Sequence, residues 1–183
     1  IFTYPLPERR PQTSWRNWGG IQSREDVEAE AARIRGELDG LRAGADFPLE
    51  ILPLASVRRP GELDPHRRDI EAADAILLYA AGDGAGDLMA SVNPIDSLGD
   101  GLGKDVLFFV RYQSGPLYYW YEGAMARFLH QHTDALAARS VDYDDVVVDR
   151  MDQVLWRLRA LCGLRNTVGT RIVAVGGASA WAQ

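Results

Sequence analysis

Short apolar runs alternate with longer amphipathic stretches along this chain. Ala75–Tyr79 and Val106–Val110 are unbroken apolar runs of five, the pattern of strands buried on both faces of a parallel sheet. Ile1–Tyr4, Phe47–Leu54, Asp145–Val148 and Ile172–Val175 read as further strands, and Pro48 and Pro53 push the second of these toward a sheet edge. Between them the period lengthens to three and four. Val27, Ala31, Ile34, Leu38 and Leu41 form one helical stripe, opened at Ser23 by a capping-box-like Ser-x-x-Asp and stopped near Gly44. Met151, Val154, Leu155, Leu158 and Leu161 form a second stripe across Arg150–Leu164. Pro60–Ala73 predicts a weaker helix broken by Pro65, Asp87–Ser91 a short one, and Leu117–Gln131 an aromatic-rich one.

Strands separated by helices require crossover connections. The expected fold is therefore α/β: a three-layer sandwich with a mainly parallel, flavodoxin- or Rossmann-like sheet in the order 2-1-3-4-5 and helices on both faces. Residues 1–164 read as this domain, with Ile1–Tyr4 as the tail of a strand that lacks its beginning. Residues 165–183 read as a linker and the first strand of a following α/β domain, so that the chain is expected to be a fragment of a longer protein. A formal charge of -6 weighs against nucleic acid as a partner, because phosphate binding needs clustered Lys and Arg. No apolar run approaches the ~20 residues of a membrane span and no signal peptide is legible, so a cytoplasmic protein without a membrane partner is expected. The single cysteine, Cys162, allows neither an internal disulfide nor a cysteine zinc framework, and on its apolar helical face it reads as a structural thiol.

In open parallel sheets, ligands bind beyond the carboxyl ends of the strands. Four loops occupy that edge: Pro5–Gln22, Ala80–Gly86, Arg111–Pro116 and Gly176–Ser179. The first carries Trp15, Arg16 and Trp18, which either form an aromatic platform for the apolar face and hydroxyls of a sugar or pin a long loop to the domain. The third carries Arg111 and Gln113. An arginine there can grip hydroxyls or a carboxylate, or equally form an ion pair at the sheet edge. Trp15, Arg16, Trp18, Arg111 and Gln113 are thus the candidate substrate-binding residues, and no catalytic residue or metal ligand is assigned. The Gly82–Gly86 turn lacks a Gly-Lys-Ser/Thr continuation, and Asp83 would repel phosphate, which disfavours a flavin or nucleotide binder. His130 and His132, two apart, would diverge on a helix rather than pair on a metal. Asp142, Asp144, Asp145 and Asp149 set no ligand geometry and read as a solvated turn. The aromatic residues of 118–128 read as core or as a subunit interface.

One stretch carries a family resemblance. Leu155-Trp156-Arg157-Leu158-Arg159-Ala160-Leu161, Gly163-Leu164-Arg165-Asn166-Thr167 and Arg171-Ile172-Val173-Ala174-Val175-Gly176-Gly177 resemble the junction between the first two domains of L-fucose/L-arabinose isomerase-like proteins. The alternating pattern before it is similar to the first domain of that group. The resemblance implies aldose–ketose isomerisation of a pentose or 6-deoxyhexose by a full-length protein. It also implies Mn²⁺ held by acidic residues and a histidine of later domains, and no cofactor in this portion, which would be inactive alone. The first domain would then contribute contacts within a homo-oligomer and part of a neighbour's sugar pocket. The alternative, from another functional class, is a non-catalytic sugar-binding module of flavodoxin-like or periplasmic-binding-type fold.

Overall fold

The two apolar runs are the backbone of the sheet. In a computed structural model, which describes residues 1–5, 19–82, 85, 104–123 and 145–171, they form β3 (Ala75–Ala80) and β4 (Asp105–Val110). The two pair in parallel from Ala75–Asp105 to Tyr79–Phe109. β1 (Phe2–Thr3) lies on the other side of β3, β2 (Ser56–Val57) lies beyond β1, and β5 (Val146–Val148) pairs with β4 at the far edge. The order β2-β1-β3-β4-β5 is the one the alternating pattern predicts, and every neighbouring pair is parallel. All carboxyl ends therefore share one rim.

Helices cover both faces of this sheet. α1 (Arg24–Gly44) starts at a reciprocal cap: the Asp26 N–H donates to the Ser23 hydroxyl, and the Asp26 carboxylate accepts from the Ser23 and Gln22 N–H groups. Aspartate thus fills the place usually taken by glutamate. The predicted stripe is the face that α1 buries, with Ala31, Ile34 and Leu41 in the core. A 3₁₀ segment (Pro60–His66) and α2 (Arg67–Ala72) lead from β2 across β1 to β3. The two crossovers travel in opposite directions, so right-handed connections place α1 and α2 on opposite faces. α3 (Tyr119–Gly123) brings Trp120 flat against Phe108, with ring centroids 5.2 Å apart. Tyr79 and Phe109 turn the other way, toward α1, and α4 (Met151–Thr167) packs beside α1 on that face.

Three predicted elements take a different form. Phe47–Leu54 carries no strand assignment, and pairing with β1 falls at Ser56 and Val57 instead, just past the Pro48–Pro53 stretch, where two prolines remove ladder donors. The Pro60–Ala73 stretch divides: Pro65, which has no N–H to give, sits inside the 3₁₀ segment, and the α-helix starts after it at Arg67. α4 continues past Leu164 to Thr167, where the Val168 N–H donates to the Leu164 carbonyl and the Thr167 hydroxyl to that of Gly163. The domain boundary read at residue 164 therefore falls inside a helix. Of Leu117–Gln131, the described part is helical from Tyr119 to Gly123. The rest of that stretch, with Asp87–Ser91 and Ile172–Val175, lies outside the described residues.

Candidate functional site

The loop after β4 organises the rim at the carboxyl ends of the strands. Side chains alternate along a strand, so Arg111 points the same way as Phe109, toward α1. Its side chain has no exposed surface. The guanidinium uses all three nitrogens: Nε donates to Glu30 at 2.6 Å, Nη2 to Glu37 at 2.7 Å and Nη1 to the Ser114 hydroxyl at 3.1 Å. Both carboxylates come from α1, seven residues apart, and flank its buried stripe. Glu30 also accepts from the Tyr118 hydroxyl at 2.6 Å and from Arg33 at 3.2 Å, and Glu37 accepts from the Tyr79 hydroxyl. The rings of Phe109, Tyr118 and Tyr79 surround the guanidinium, with its carbon 5.1–5.9 Å from their centroids.

The electrostatics reflect this packing. Burial works against the charge on Arg111, but Glu37, Tyr118 and Glu30 outweigh it and push its pKa above the usual arginine value. Burial, reinforced by the adjacent carboxylates, pushes the Tyr118 and Tyr79 phenols upward, so both stay protonated donors. The loop makes room for this arrangement. A Cβ on Gly115 would stand 2.8 Å from Cδ of Arg111, which is why glycine occupies that position.

Asp149, just past β5, completes the loop. Its carboxylate accepts from the N–H groups of Tyr112, Gln113 and Ser114 at 2.9–3.0 Å and from the Ser114 hydroxyl at 2.6 Å. Three successive amides form an anion nest, and a side chain of the same protein fills it. Asp149 pays for this position with a left-handed backbone, φ 61°. Burial raises its pKa, but the Ser114 hydroxyl and the three amides prevail and bring it down to about 2. Gly19 and Gly20, at the end of the loop after β1, pack on the same structure. The Gly20 N–H donates to the Leu117 carbonyl at 2.6 Å, and a Cβ on Gly20 would stand 2.8 Å from Pro116.

The sequence left ligand grip and ion pair open for Arg111; the guanidinium is ion-paired internally, and so supports the loop. Gln113 is exposed on the rim beside Tyr112, whose ring is half exposed and packs at 5.0 Å on Tyr121. Trp15, Arg16 and Trp18 lie outside the described residues, as do His130, His132, Asp142 and Asp144. Gly19 and Gly20 nonetheless join the loop that carries the tryptophans to the one that carries Arg111 and Gln113. Cys162 is half-buried on α4. Among the described residues no group of three or more His, Cys, Asp or Glu side chains is placed to hold a metal ion, and no helix is long and apolar enough to cross a membrane.

Sequence reasoning missed Glu30, Glu37, Tyr118 and Asp149 as site residues. A signal existed for the first two. At positions 30 and 37 they share a seven-residue spacing with Ile34 and Leu41, so they border the buried stripe rather than the solvent face. Asp149 gave no such sign, because its role depends on the three-dimensional meeting of the β4 and β5 exits. Comparison with known proteins adds no relative: no family model, no curated protein and no solved structure matches the chain.

Replacing Arg111 leaves Glu30 buried without its cation. Arg111→Met is expected to cost about 3–5 kcal/mol of stability in urea unfolding, and adding Glu30→Gln should recover part of that loss. A cost below about 1 kcal/mol, or no recovery, contradicts the assigned role. For Asp149, the folded pKa lies below the unfolded one, so its contribution is present above about pH 4 and disappears as pH falls toward about 2. Asp149→Asn should therefore be less stable than the parent by about 1–2 kcal/mol at pH 7. The gap should narrow on acidification, whereas a gap independent of pH contradicts the assignment.

Proposed function

We propose that this chain is the amino-terminal α/β domain of a sugar isomerase-like protein, and that its rim forms part of a sugar pocket. The observation that carries the reading is the resemblance of residues 155–167 and 171–177 to the inter-domain junction of L-fucose/L-arabinose isomerase-like proteins. The fold class is consistent with it, since the alternating strand–helix pattern that is similar to the first domain of that group forms a parallel α/β sheet. The surface of α4 supports it too. Trp156 and Leu164 on the helix, and Val168 after it, are 59%, 59% and 72% exposed, an apolar surface suited to the subunit contacts of a homo-oligomer.

In this reading Arg111 holds the loop and Gln113 and Tyr112 present an amide and an aromatic edge to the sugar, with Trp15, Arg16 and Trp18 as partners from the loop after β1. An amide hydrogen-bonds hydroxyls, and a ring packs on the apolar face of a pyranose. The protein works in the cytoplasm as an aldose–ketose isomerase of a pentose or 6-deoxyhexose. The Mn²⁺ of that chemistry is held by other domains; the described residues here offer no donor set that fits it, and no step of the reaction is placed on this chain.

The test is a comparison of the full-length protein with the isolated chain. The full-length protein should interconvert L-fucose or L-arabinose with its ketose, lose this activity to EDTA and regain it with Mn²⁺. Gln113→Ala should raise KM several-fold with kcat largely retained. The isolated chain should show no turnover and no stoichiometric Mn²⁺ uptake by titration calorimetry. Tight Mn²⁺ binding by the chain alone overturns the reading. So does a full-length protein that binds these sugars without converting them, which is the behaviour of a binding module.

A further inference from the structure

The outward face of α1 has no large side chain. Ala29, Ala32, Gly36, Gly40 and Ala43 recur at three- and four-residue steps, and all are exposed. At about 100° per residue they form one band about 80° wide, opposite the stripe of Ala31, Ile34 and Leu41 that α1 buries. Glycine is a poor helix former, and in a helix interior it calls for a reason such as a close neighbour. The described part of the chain supplies none: nothing there stands within 4 Å of a Cβ added at Gly36 or Gly40. A band this smooth lets a second helix approach more closely than larger side chains allow.

The charges along one edge of this band select the helix that fits. Glu28, Arg35, Asp39 and Arg42 are all exposed and lie within a sector of about 60°, in the order acid, base, acid, base. Reversed, that order sets base against acid at each step. A second α1 laid antiparallel about a two-fold axis at Gly36 therefore brings Glu28 within reach of the partner's Arg42, and Arg35 within reach of the partner's Asp39. Symmetry repeats each pair. In the same register Ala29 faces the partner's Ala43, and Ala32 faces the partner's Gly40. A parallel copy would set like charge on like. The Asp39–Arg42 pair within one helix, at 3.2 Å, is too exposed to hold these groups back. Apolar surface borders the band. The Arg159–Asp46 ion pair, at 2.6 Å, sets α4 beside the end of α1, where Trp156 is 59% exposed.

We propose that the outer face of α1, bordered by Trp156 of α4, binds a second copy of this chain, packed antiparallel about a two-fold axis near Gly36. α1 has 21 residues and is about 30 Å long. Two such helices in close contact, with a tryptophan added by each copy, reach the lower end of specific interfaces, roughly 1,000 Å² in total. The association is therefore reversible. Its occupant is another α1 rather than an unrelated helix, because the charge order fits its own reverse. The proposal gives the homo-oligomer of the sugar reading a defined face but does not rest on that reading, since association is measured without any ligand.

Sedimentation equilibrium of the whole chain is the test. The parent is expected to dimerise with a Kd on the order of 10 μM. Gly36→Gln places a long polar side chain on the axis and should raise Kd by about tenfold or more. The same variant should stay folded, with a Tm in dilute solution no lower than the parent's, because glutamine is the better helix former. Trp156→Ala should also raise Kd by about tenfold. Glu28→Arg and Arg42→Glu should each raise Kd by about threefold or more, and the chain carrying both should return toward the parent value. A parent that stays monomeric at about 500 μM overturns the proposal. So does a dimer indifferent to Gly36→Gln, which would use another face, or a double charge variant that associates no more tightly than either single one.

Discussion

A fully buried guanidinium between the sheet and its longest helix sets the form of the rim. Removing an ion of this size from water costs several kcal/mol, and the cost is offset only where charge and hydrogen-bonding partners surround it. Arg111 finds them across the fold: each of its three nitrogens donates, to Glu30 and Glu37 from α1 and to Ser114 from its own loop, and the rings of Tyr79, Phe109 and Tyr118 enclose it. α1 must therefore cross the sheet at one height, because its carboxylates have to reach the exit of β4. The loop after β4 must turn back, and the Tyr118 N–H donates to the Arg111 carbonyl as it does so. Ser114 passes the constraint on to Asp149, which fixes the next strand's exit against the same loop.

The rim that results is rigid in its support and polar at its surface. Arg111 is consumed by internal partners, and the amide nest of residues 112–114 is filled by Asp149. Neither is left to receive an anion. What the loop after β4 presents outward includes Gln113 and Tyr112, an amide and an aromatic ring.

Most of the fold was legible in the residues. The runs 75–79 and 106–110 read as buried parallel strands and form them, and the stripes of α1 and α4 fell where three- and four-residue spacing put them. Ser23 and Asp26 marked the start of α1 because their side chains satisfy backbone donors that a helix leaves free. The Phe47–Leu54 stretch reads as a strand, but the residues that pair are Ser56 and Val57, just beyond it. Its apolar composition suits a strand, whereas Pro48 and Pro53 have no N–H to give a ladder. The site was half legible. Alternation from Phe109 places Arg111 on the α1 face, and Glu30 and Glu37 border the stripe there, so an ion pair could be inferred. The meeting of Asp149 with residues 112–114 is a contact across 35 to 37 positions of sequence and has no local signature.

Nuclear magnetic resonance of the Arg111 side chain tests the central claim most directly. With its Nε–H donated to Glu30 in the interior, that proton should give a resolved signal and exchange with water at least about a hundredfold more slowly than in a free arginine. Adding L-arabinose or L-fucose should leave it unmoved. An Nε–H that exchanges at the rate of free arginine, or whose signal shifts as sugar is added, would contradict a guanidinium committed to the inside of the fold.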